Sequence, residues 1–312
     1  MENEKYFEPI TPDLLEPLEQ EEEDIAAEST ETDSVGEKIL TMFKKNKITL
    51  VAAFVLVLLA LMAIFAPFVA PHDPYVMNSG RELEQPSSDF LLGTDVFGRC
   101  VLSRIIFGAR ISLIVGFVPT IISMTIGVIF GLISGFFGGK VDFVIMRFTD
   151  MVMALPGLLI TLLIIYIFER PNMFLLFIAM SIASWPGTAR IIRSQVLAFR
   201  EKEFIEAARS VGVKRFKIMF RHILPNCLPT LVVIFTLAVP GMIMTESGLS
   251  FLGLGLPPPT ASWGSLINTL RGHIFRIPIS ALSPGVFILL TTMSFNFLGD
   301  GLRDAVDPSM KE

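Results

Sequence analysis

Histidine and cysteine, which often carry catalysis or bind metal, are few in this sequence and lie far apart. The three histidines, His72, His222 and His273, fall in separate segments, and the two cysteines, Cys100 and Cys227, are distant from each other. No spacing typical of metal ligands occurs, and no nucleophile stands with a base in a recognisable motif. We therefore predict no catalytic residue, no metal site and no cofactor bound by this chain.

A nucleotide-binding loop is the next chemistry to consider. The phosphate loop has the pattern Gly-x-x-x-x-Gly-Lys-Ser/Thr, whose backbone amides hold the phosphates. The nearest match, from Gly135 to Lys140, has the wrong spacing and is followed by Val141. The chain is therefore not expected to hydrolyse ATP by that mechanism. Nucleic-acid binding is not expected either, because the positions of the basic residues are explained by the membrane topology derived below.

The composition is that of a membrane protein. Of the 312 residues 52% are hydrophobic, and the mean hydropathy is +0.63, which exceeds the apolar share of an ordinary soluble domain. A helix needs about 20 predominantly apolar residues to cross the hydrocarbon layer. Six segments meet or approach this length: 48–69, 111–137, 151–168, 173–192, 228–245 and 284–302. We predict an all-α integral membrane protein with six transmembrane helices.

The distribution of basic residues predicts the orientation of these spans. Lys44, Lys45 and Lys47 precede the first span, which places the N-terminus in the cytoplasm. Six spans then place the C-terminus there too, and 18 of the 25 Lys and Arg residues lie on the cytoplasmic side. The segment 190–227 alone contains nine of them. A topology shifted by one span would put this segment outside the cell, which contradicts the rule that Lys and Arg are enriched in cytoplasmic loops.

The first residues differ from the rest in charge. Residues 1–36 contain 13 acidic residues and one lysine, whereas residues 37–312 carry a formal net charge of +7. Such an acidic segment buries too little apolar surface to offset its ordering entropy. We predict a disordered acidic cytoplasmic tail over residues 1–37, and a docking role for it stays open.

The segment 190–227 is basic, amphipathic and interrupted by a glycine. An apolar stripe formed by Phe204, Ala208 and Val211 ends at Gly212, which can end a helix in a left-handed conformation. A second stripe comprises Phe216, Met219, Phe220 and Ile223. The pair Leu224-Pro225 is expected to end the second helix. Two short helices at an angle suit docking into a groove of a soluble partner, and an amphipathic helix lying on lipid is the alternative.

This segment also carries a family resemblance. Glu206-Ala207-Ala208, followed by Gly212 and then Leu224-Pro225, resembles the EAA loop of binding-protein-dependent ABC importer permeases. The local form Arg221 to Asn226, with His222 in place of the broader consensus isoleucine, is similar to the dipeptide/oligopeptide branch. In that family the loop is the coupling helix, which inserts into a cleft on the ATPase subunit.

A second motif agrees with the same branch. Gly93-Thr94-Asp95, followed by Gly98-Arg99, resembles the extracytoplasmic motif of the C-type permease subunit. Cys100 stands where that motif usually has an aspartate. The segments 147–156 and 249–255 are similar to the branch as well, and the resemblance extends from about residue 38 to residue 308.

The resemblance implies a fold and a set of partners. The expected fold is a type I permease core of five helices with an extra N-terminal helix, in a bacterial cytoplasmic membrane. The domains would be residues 38–110 with the first span and an extracytoplasmic segment, a permease domain at 111–302, and a cytoplasmic tail at 303–312. The implied partners are a second homologous permease subunit, two ATP-binding subunits that use the ATP, an extracytoplasmic substrate-binding protein, membrane lipid and a peptide substrate.

Three further expectations concern residues within the spans. Gly127, Gly131 and Gly135 share a helix face and permit close helix packing, either within this subunit or near the translocation path. Arg147 and Asp150, three residues apart, are expected to pair with each other, with a role in gating as the alternative. Glu246 is expected to be solvated at the outer surface, with an entrance to the substrate path as the alternative.

Other functions remain open at this point. A nickel or nickel-chelate importer shares these motifs, and uptake of labelled peptide or nickel would separate the two. A secondary transporter driven by an ion gradient would transport without a partner and would carry midplane charges. A membrane enzyme would need convergent catalytic groups.

Overall fold

The structure, a computed structural model, describes residues 46–168 and 172–306. Across these residues the chain forms helices and turns without a named β-strand. The all-α prediction is therefore confirmed for the described chain. The predicted acidic tail at 1–37 and residues 307–312 of the predicted C-terminal tail lie outside the described residues.

The helices follow one another with few long connections. Their bounds are α1 Lys47–Ile64, α2 Ala66–Val69, α3 Val101–Phe137, α4 Gly139–Met153, α5 Gly157–Ile167, α6 Met173–Arg200, α7 Glu203–Ser210, α8 Arg215–Ile218, α9 Leu224–Phe251, α10 Trp263–Leu270 and α11 Pro278–Val306. A π-helical turn at Met219–Ile223 joins α8 to α9, and a 3-10 turn at Arg271–His273 follows α10.

Five of these helical units are long and apolar enough to cross a membrane: α1, α3, α6, the continuous unit from α8 to α9, and α11. Helices α4 and α5 pass the same test together but are bent by 83°. Counting that pair as one span gives the six that hydropathy predicts. The prediction of one helix over 151–168 is wrong, because the chain leaves the helix after Met153 and Pro156 disfavours helical geometry at the residue before it.

Helix α3 begins ten residues earlier than the apolar run predicts, so the predicted domain boundary at 110/111 falls inside a helix. The extra turns contain Arg104 and Arg110, whose charges had placed them in a loop. The Arg110 guanidinium donates to the carbonyl oxygens of Ala63 and Ile64 at 2.5 and 2.6 Å, at the C-terminal end of α1. A cation at the C-terminal end of a helix also interacts favourably with the helix dipole. The helix can therefore extend beyond the apolar stretch.

The row of small residues on α3 packs against α6. A Cβ added to Gly131 would lie 2.7 Å from the carbonyl oxygen of Ala189, and one added to Gly135 would lie 2.7 Å from the Cβ of Val196. Such distances leave no room for a side chain. The structure thus shows the first of the two predicted alternatives, which is close packing within this subunit.

The two long connections lie at the same end of the bundle. Trp263 of α10 is fully buried, and its Nε1 donates to the carbonyl oxygen of Ile105 at 3.1 Å, near the start of α3. Gln85, in the connection between α2 and α3, donates from Nε2 to the carbonyl oxygen of Arg276 at 2.8 Å. Residues 70–100 and 252–277 therefore form one folded layer across this end, and α7 lies at the other.

Candidate functional site

Helix α7 is short, exposed and anchored by one side chain. Ile205 is fully buried and packs with apolar residues of α3, α6, α8 and α9. Burial of such a side chain contributes about 1.5–3 kcal/mol. By contrast, Phe204 is 44% exposed and Val211 is 85% exposed. The predicted stripe of Phe204, Ala208 and Val211 is therefore mostly an outer surface of this helix.

A glycine-based cap ends α7. Gly212 has a φ of +79°, a left-handed conformation that glycine adopts without a Cβ penalty. Its N–H donates to the carbonyl oxygen of Arg209 at 2.9 Å, and the N–H of Val213 donates to the carbonyl oxygen of Ala208 at 3.0 Å. These two bonds form a Schellman motif. The glycine break that the sequence predicts is present, and it sets the direction in which the chain enters α8.

The residues of the predicted coupling motif lie on and after this exposed helix. Glu206 and Ala207 are exposed, and Ala208 is half-buried against the core. Gly212 is exposed, and a Cβ added to it would meet no atom within 4 Å. Glu206, Ala207 and Gly212 are thus open to a partner, whereas Leu224 and Pro225 lie in the helix that follows.

The prediction that Leu224-Pro225 ends the second helix is wrong. Leu224 has helical backbone angles of −56° and −43°, and the chain is helical from Arg215 to Phe251. Pro225 stands in the first turn of α9, directly after the π-helical turn. Proline is tolerated in a first turn, and Nδ2 of Asn226 donates to the carbonyl oxygen of His222 at 2.6 Å. Consequently α8 is the beginning of a transmembrane helix.

Two ion pairs join α4 to α6 near the end of the bundle that carries α7. Arg193 donates to both carboxylate oxygens of Asp142 at 2.5 Å, and Arg190 donates to Asp150 at 2.5 Å. The predicted pair of Arg147 with Asp150 is not formed, since Arg147 lies over the ring of Phe143 instead. Sequence reasoning missed these pairs because their members are 40 and 51 residues apart.

At the opposite end, Asp95 is the centre of a buried polar cluster. Its carboxylate accepts from Arg99 Nε at 2.7 Å and from the backbone N–H groups of Phe97 and Arg99 at 2.8 and 3.0 Å. Arg104 Nε lies 3.5 Å from the same carboxylate. Asp95 and Arg104 are buried, so these contacts hold the start of α3 to the connecting layer.

The other residues of the predicted extracytoplasmic motif are structural neighbours of Asp95. Gly93 and Gly98 both have a φ of +71°, and a Cβ on either would collide with the backbone of Glu84 or Asn78. The Thr94 hydroxyl donates to the carbonyl oxygen of Arg81 and accepts from the N–H of Glu84 at 2.8 Å. At the surface, the hydrogen bond from Arg81 holds the pKa of the Glu84 carboxyl below its usual value.

Glu246 is buried, which corrects the expectation that it is solvated. Its Oε1 accepts from the hydroxyls of Ser250 at 2.6 Å and Ser262 at 2.7 Å. Ser262 is the N-cap of α10 and forms a capping box with Ser265. The carboxyl group therefore ties the end of α9 to the start of α10. No local pattern in the sequence signals this contact, because α10 folds back over the end of the bundle.

The fold and the site define a class: an all-helical, multi-pass membrane protein that presents a short exposed helix at one end of its bundle. Residues 127–312 match the family model described as binding-protein-dependent transport system inner membrane component, and residues 34–86 match the N-terminal TM domain of oligopeptide transport permease C. The chain belongs to this family of inner membrane components of binding-protein-dependent transport systems.

Relatives cover most of the chain. It is 38% identical to the oligopeptide transport system permease protein OppC of Bacillus subtilis (strain 168), over 93% of this chain and 97% of that protein. It is 40% identical to the dipeptide transport system permease protein DppC of the same organism, over 86% and 84%. It is 38% identical to the glutathione transport system permease protein GsiD of Pectobacterium atrosepticum, over 86% and 89%.

A solved structure shares the fold. A chain of the MetNI methionine ABC transporter in inward facing conformations matches with a TM-score of 0.54 at 18% identity, over 65% of this chain and 96% of that chain. At this identity the match concerns the fold alone. It supports the assignment of the permease fold made from the sequence.

Proposed function

We propose that this chain is one of two permease subunits of an ATP-driven importer that moves di- or oligopeptides across the bacterial cytoplasmic membrane. The observation that carries the proposal is α7, an exposed helix. Its outward side chain Phe204 and that of Val211, the residue directly after the helix, have no place in the core of this chain. Separate ATPase subunits would hold α7 in a groove and supply the energy. Glu206, Ala207, Ala208 and Gly212 would form the contact, with Leu224 and Pro225 in the helix behind it.

The packing of α7 explains how a partner could move the membrane helices. Ile205 belongs to the same buried cluster as Leu132 of α3, Val196 of α6 and Ile223 before α9. Close-packed interiors transmit displacement because they have few voids. A rigid shift of α7 would therefore displace three membrane helices together, as in switches between packed arrangements.

The continuity of α8 with α9 strengthens the same argument. Because helical structure continues from Arg215 to Phe251, the second arm of the exposed segment is part of a membrane span. Gly212 separates this arm from α7 and sets the angle between them. Motion at the face proposed to be cytoplasmic would thus reach the opposite face along one helix.

The substrate class rests on the relatives. Those named above transport oligopeptides, dipeptides and glutathione by their names, and all three are peptides. We propose a peptide substrate for this chain on that basis. The layer formed by residues 70–100 and 252–277, with the Asp95 cluster inside it, would face an extracytoplasmic substrate-binding protein that delivers the peptide.

The proposal is tested by removing the exposed apolar contact without touching the fold. Val211→Asp places a charge at the exposed position directly after α7, and we expect it to abolish co-purification with the ATPase subunits and ATP-driven peptide uptake. Phe275→Asp is the matched control, since Phe275 is 100% exposed at the opposite end of the bundle. It should retain the ATPase subunits. Undiminished ATPase association of the Val211→Asp subunit would contradict the proposal.

A further inference from the structure

A cavity of about 620 Å³ lies between the ends of α3 and α6 and the segment formed by α7 and α8. Three guanidinium groups line it, those of Arg200, Arg209 and Arg215. Each comes from a different helix, so the fold brings together charges that are separate in the sequence. The residues that line the cavity come from before and after the turn at Gly212. The cavity therefore lies next to the surface assigned above to the ATPase.

The three arginines form no close ion pair with a carboxylate in the part of the chain that the structure describes, although Arg200 lies near enough to Asp142 to interact with its charge. None of the ion pairs found in residues 46–168 and 172–306 involves them. The nearby Asp142 already accepts two hydrogen bonds from Arg193 at 2.5 Å. Arg200 donates to the carbonyl oxygen of Gly135 at 3.4 Å, which leaves most of its donors available.

The N-terminus of α4 lies next to one of these arginines, and its first turn carries the carboxylate of Asp142. Arg200 Nη1 would lie 3.2 Å from a Cβ on Gly138, the residue before this helix of 15 residues. No side chain caps its first amides. Guanidinium groups bind phosphate oxygens well. The chemistry of the cavity therefore fits a phosphate-bearing anion.

Exposed aromatic rings beside the cavity indicate which anion it is. Phe137 is 38% exposed and Phe216 is 64% exposed, and their ring centroids are 6.4 Å apart. A free phosphate would gain nothing from these rings, whereas a lipid would place its acyl chains against them. Basic pockets between helices at the cytoplasmic face of a membrane bind anionic headgroups in this way.

We propose that this cavity binds the phosphate headgroup of an anionic phospholipid of the cytoplasmic leaflet. The proposal rests on the orientation given under the proposed function, which places the cavity on the cytoplasmic side. Arg200, Arg209 and Arg215 hold the phosphate, and Phe137 and Phe216 contact the first part of the acyl chains. The bound lipid bridges α7, α8 and the end of α6, and so it stiffens the segment through which the ATPase acts.

The test uses the complete transporter, purified with its second permease and ATPase subunits after equilibration with phosphatidylglycerol and phosphatidylcholine. Lipid retained by each complex is counted by native mass spectrometry. Combined Arg200→Gln and Arg215→Gln should lower phosphatidylglycerol retention roughly fivefold for each arginine removed, with phosphatidylcholine unchanged. Lys217→Gln, an exposed cation of α8 outside the cavity lining, should match the wild type.

Three results would overturn the proposal. The first is equal phosphatidylglycerol retention by the double variant and the wild type. The second is equal retention of phosphatidylcholine. The third is arginine-dependent binding of inorganic phosphate without retention of phosphatidylglycerol, which would identify a free anion instead.

Two further measurements keep the test decisive. If the double variant does not assemble, Arg215→Gln alone is compared, because Arg215 is exposed and its loss leaves the core intact. ATP-driven peptide uptake is measured in parallel in phosphatidylcholine vesicles. Uptake with no arginine-dependent lipid retention refutes only the lipid site, whereas failure of the ATPase subunits to associate with the wild type refutes the importer assignment.

Discussion

At the scale of single residues, Asp95 shows how one buried carboxylate organises a connection of about thirty residues. It accepts hydrogen bonds from the backbone of its own turn and from Arg99, and it faces Arg104 of α3. A buried charge is tolerated only where it is paired and hydrogen-bonded. Removing one partner leaves the remaining buried charges unpaired. The resulting loss of stability exceeds the net stability that the intact pair contributes.

We expect Asp95→Asn to lower the free energy of unfolding of the complex by about 3–5 kcal/mol, because Arg99 and Arg104 would be left as buried cations. Thermal unfolding and proteolysis of the purified complex measure this loss. Asp89→Asn is the control, since Asp89 pairs with Arg81 at the surface and such pairs contribute about 0–1 kcal/mol. Equal stability of the two variants would show that the Asp95 cluster does not stabilise the connection between α2 and α3.

The second prediction at this scale concerns Gly131. Alanine is favoured over glycine in a helix by about 1 kcal/mol, yet a Cβ here would lie 2.7 Å from the backbone of α6. We therefore expect Gly131→Ala to destabilise the complex by about 1–3 kcal/mol. In Gly187→Ala the added Cβ meets no atom within 4 Å, and this control should be neutral or stabilising in the same unfolding assay. A stable Gly131→Ala variant would mean that α3 and α6 can separate at little cost.

At the scale of elements, the unit that matters is α7, the turn at Gly212 and the long helix that begins with α8. The Schellman bonds fix the turn, and the buried Ile205 fixes α7 to the membrane helices. These contacts connect the unit to the membrane helices while its outer face stays exposed. A change that alters only the turn should separate transport from folding.

Gly212→Pro is such a change. Proline requires a φ near −65°, whereas Gly212 has +79°, and proline also lacks the N–H that donates to Arg209. We expect ATP-driven peptide uptake to fall to background while the amount of subunit in the membrane stays at the wild-type level. Gly212→Asn is the control that retains activity, because asparagine adopts left-handed angles. Wild-type uptake by Gly212→Pro would remove the turn from the mechanism.

Ala207→Trp tests the contact face of the same unit. Ala207 is exposed, so the larger side chain does not disturb the packing of this chain, but it would hold a partner groove away from α7. We expect loss of uptake and of ATPase co-purification with normal membrane insertion. If the Ala207→Trp subunit associates with the ATPases as the wild type does, the proposed contact face is wrong.

At the scale of the whole molecule, the bundle has two distinct ends. One is covered by the layer of residues 70–100 and 252–277, and the other carries the basic exposed segment with α7. The distribution of Lys and Arg predicts that the α7 end lies in the cytoplasm. This orientation is open to direct measurement, because Cys100 and Cys227 are both buried and give little background in thiol labelling.

We expect a membrane-impermeant thiol reagent to label Phe275→Cys in intact cells and to label Val211→Cys only after permeabilisation. Both positions are highly exposed in the structure, so accessibility to the reagent depends on the side of the membrane. The reverse result would invert the topology. It would place α7 outside the cell, away from any cytoplasmic ATPase.

Much of this architecture was readable from the sequence alone, since it depends on local composition. The apolar segments predicted the spans and the excess of Lys and Arg predicted an orientation. Gly212 predicted a break that the structure contains, because a left-handed cap needs a residue without a Cβ. The family motifs led to the permease assignment that the relatives support.

Contacts between distant residues were decided only by the tertiary structure. Hydropathy and periodicity describe neighbours along the chain, so they do not reveal that Asp150 pairs with Arg190, that Glu246 is covered by α10, or that α4 and α5 meet at 83°. Local rules also failed at Leu224-Pro225, where a π-helical turn lets the helix continue. In each case the free energy of packing and pairing between separate elements outweighs the local preference that the sequence displays.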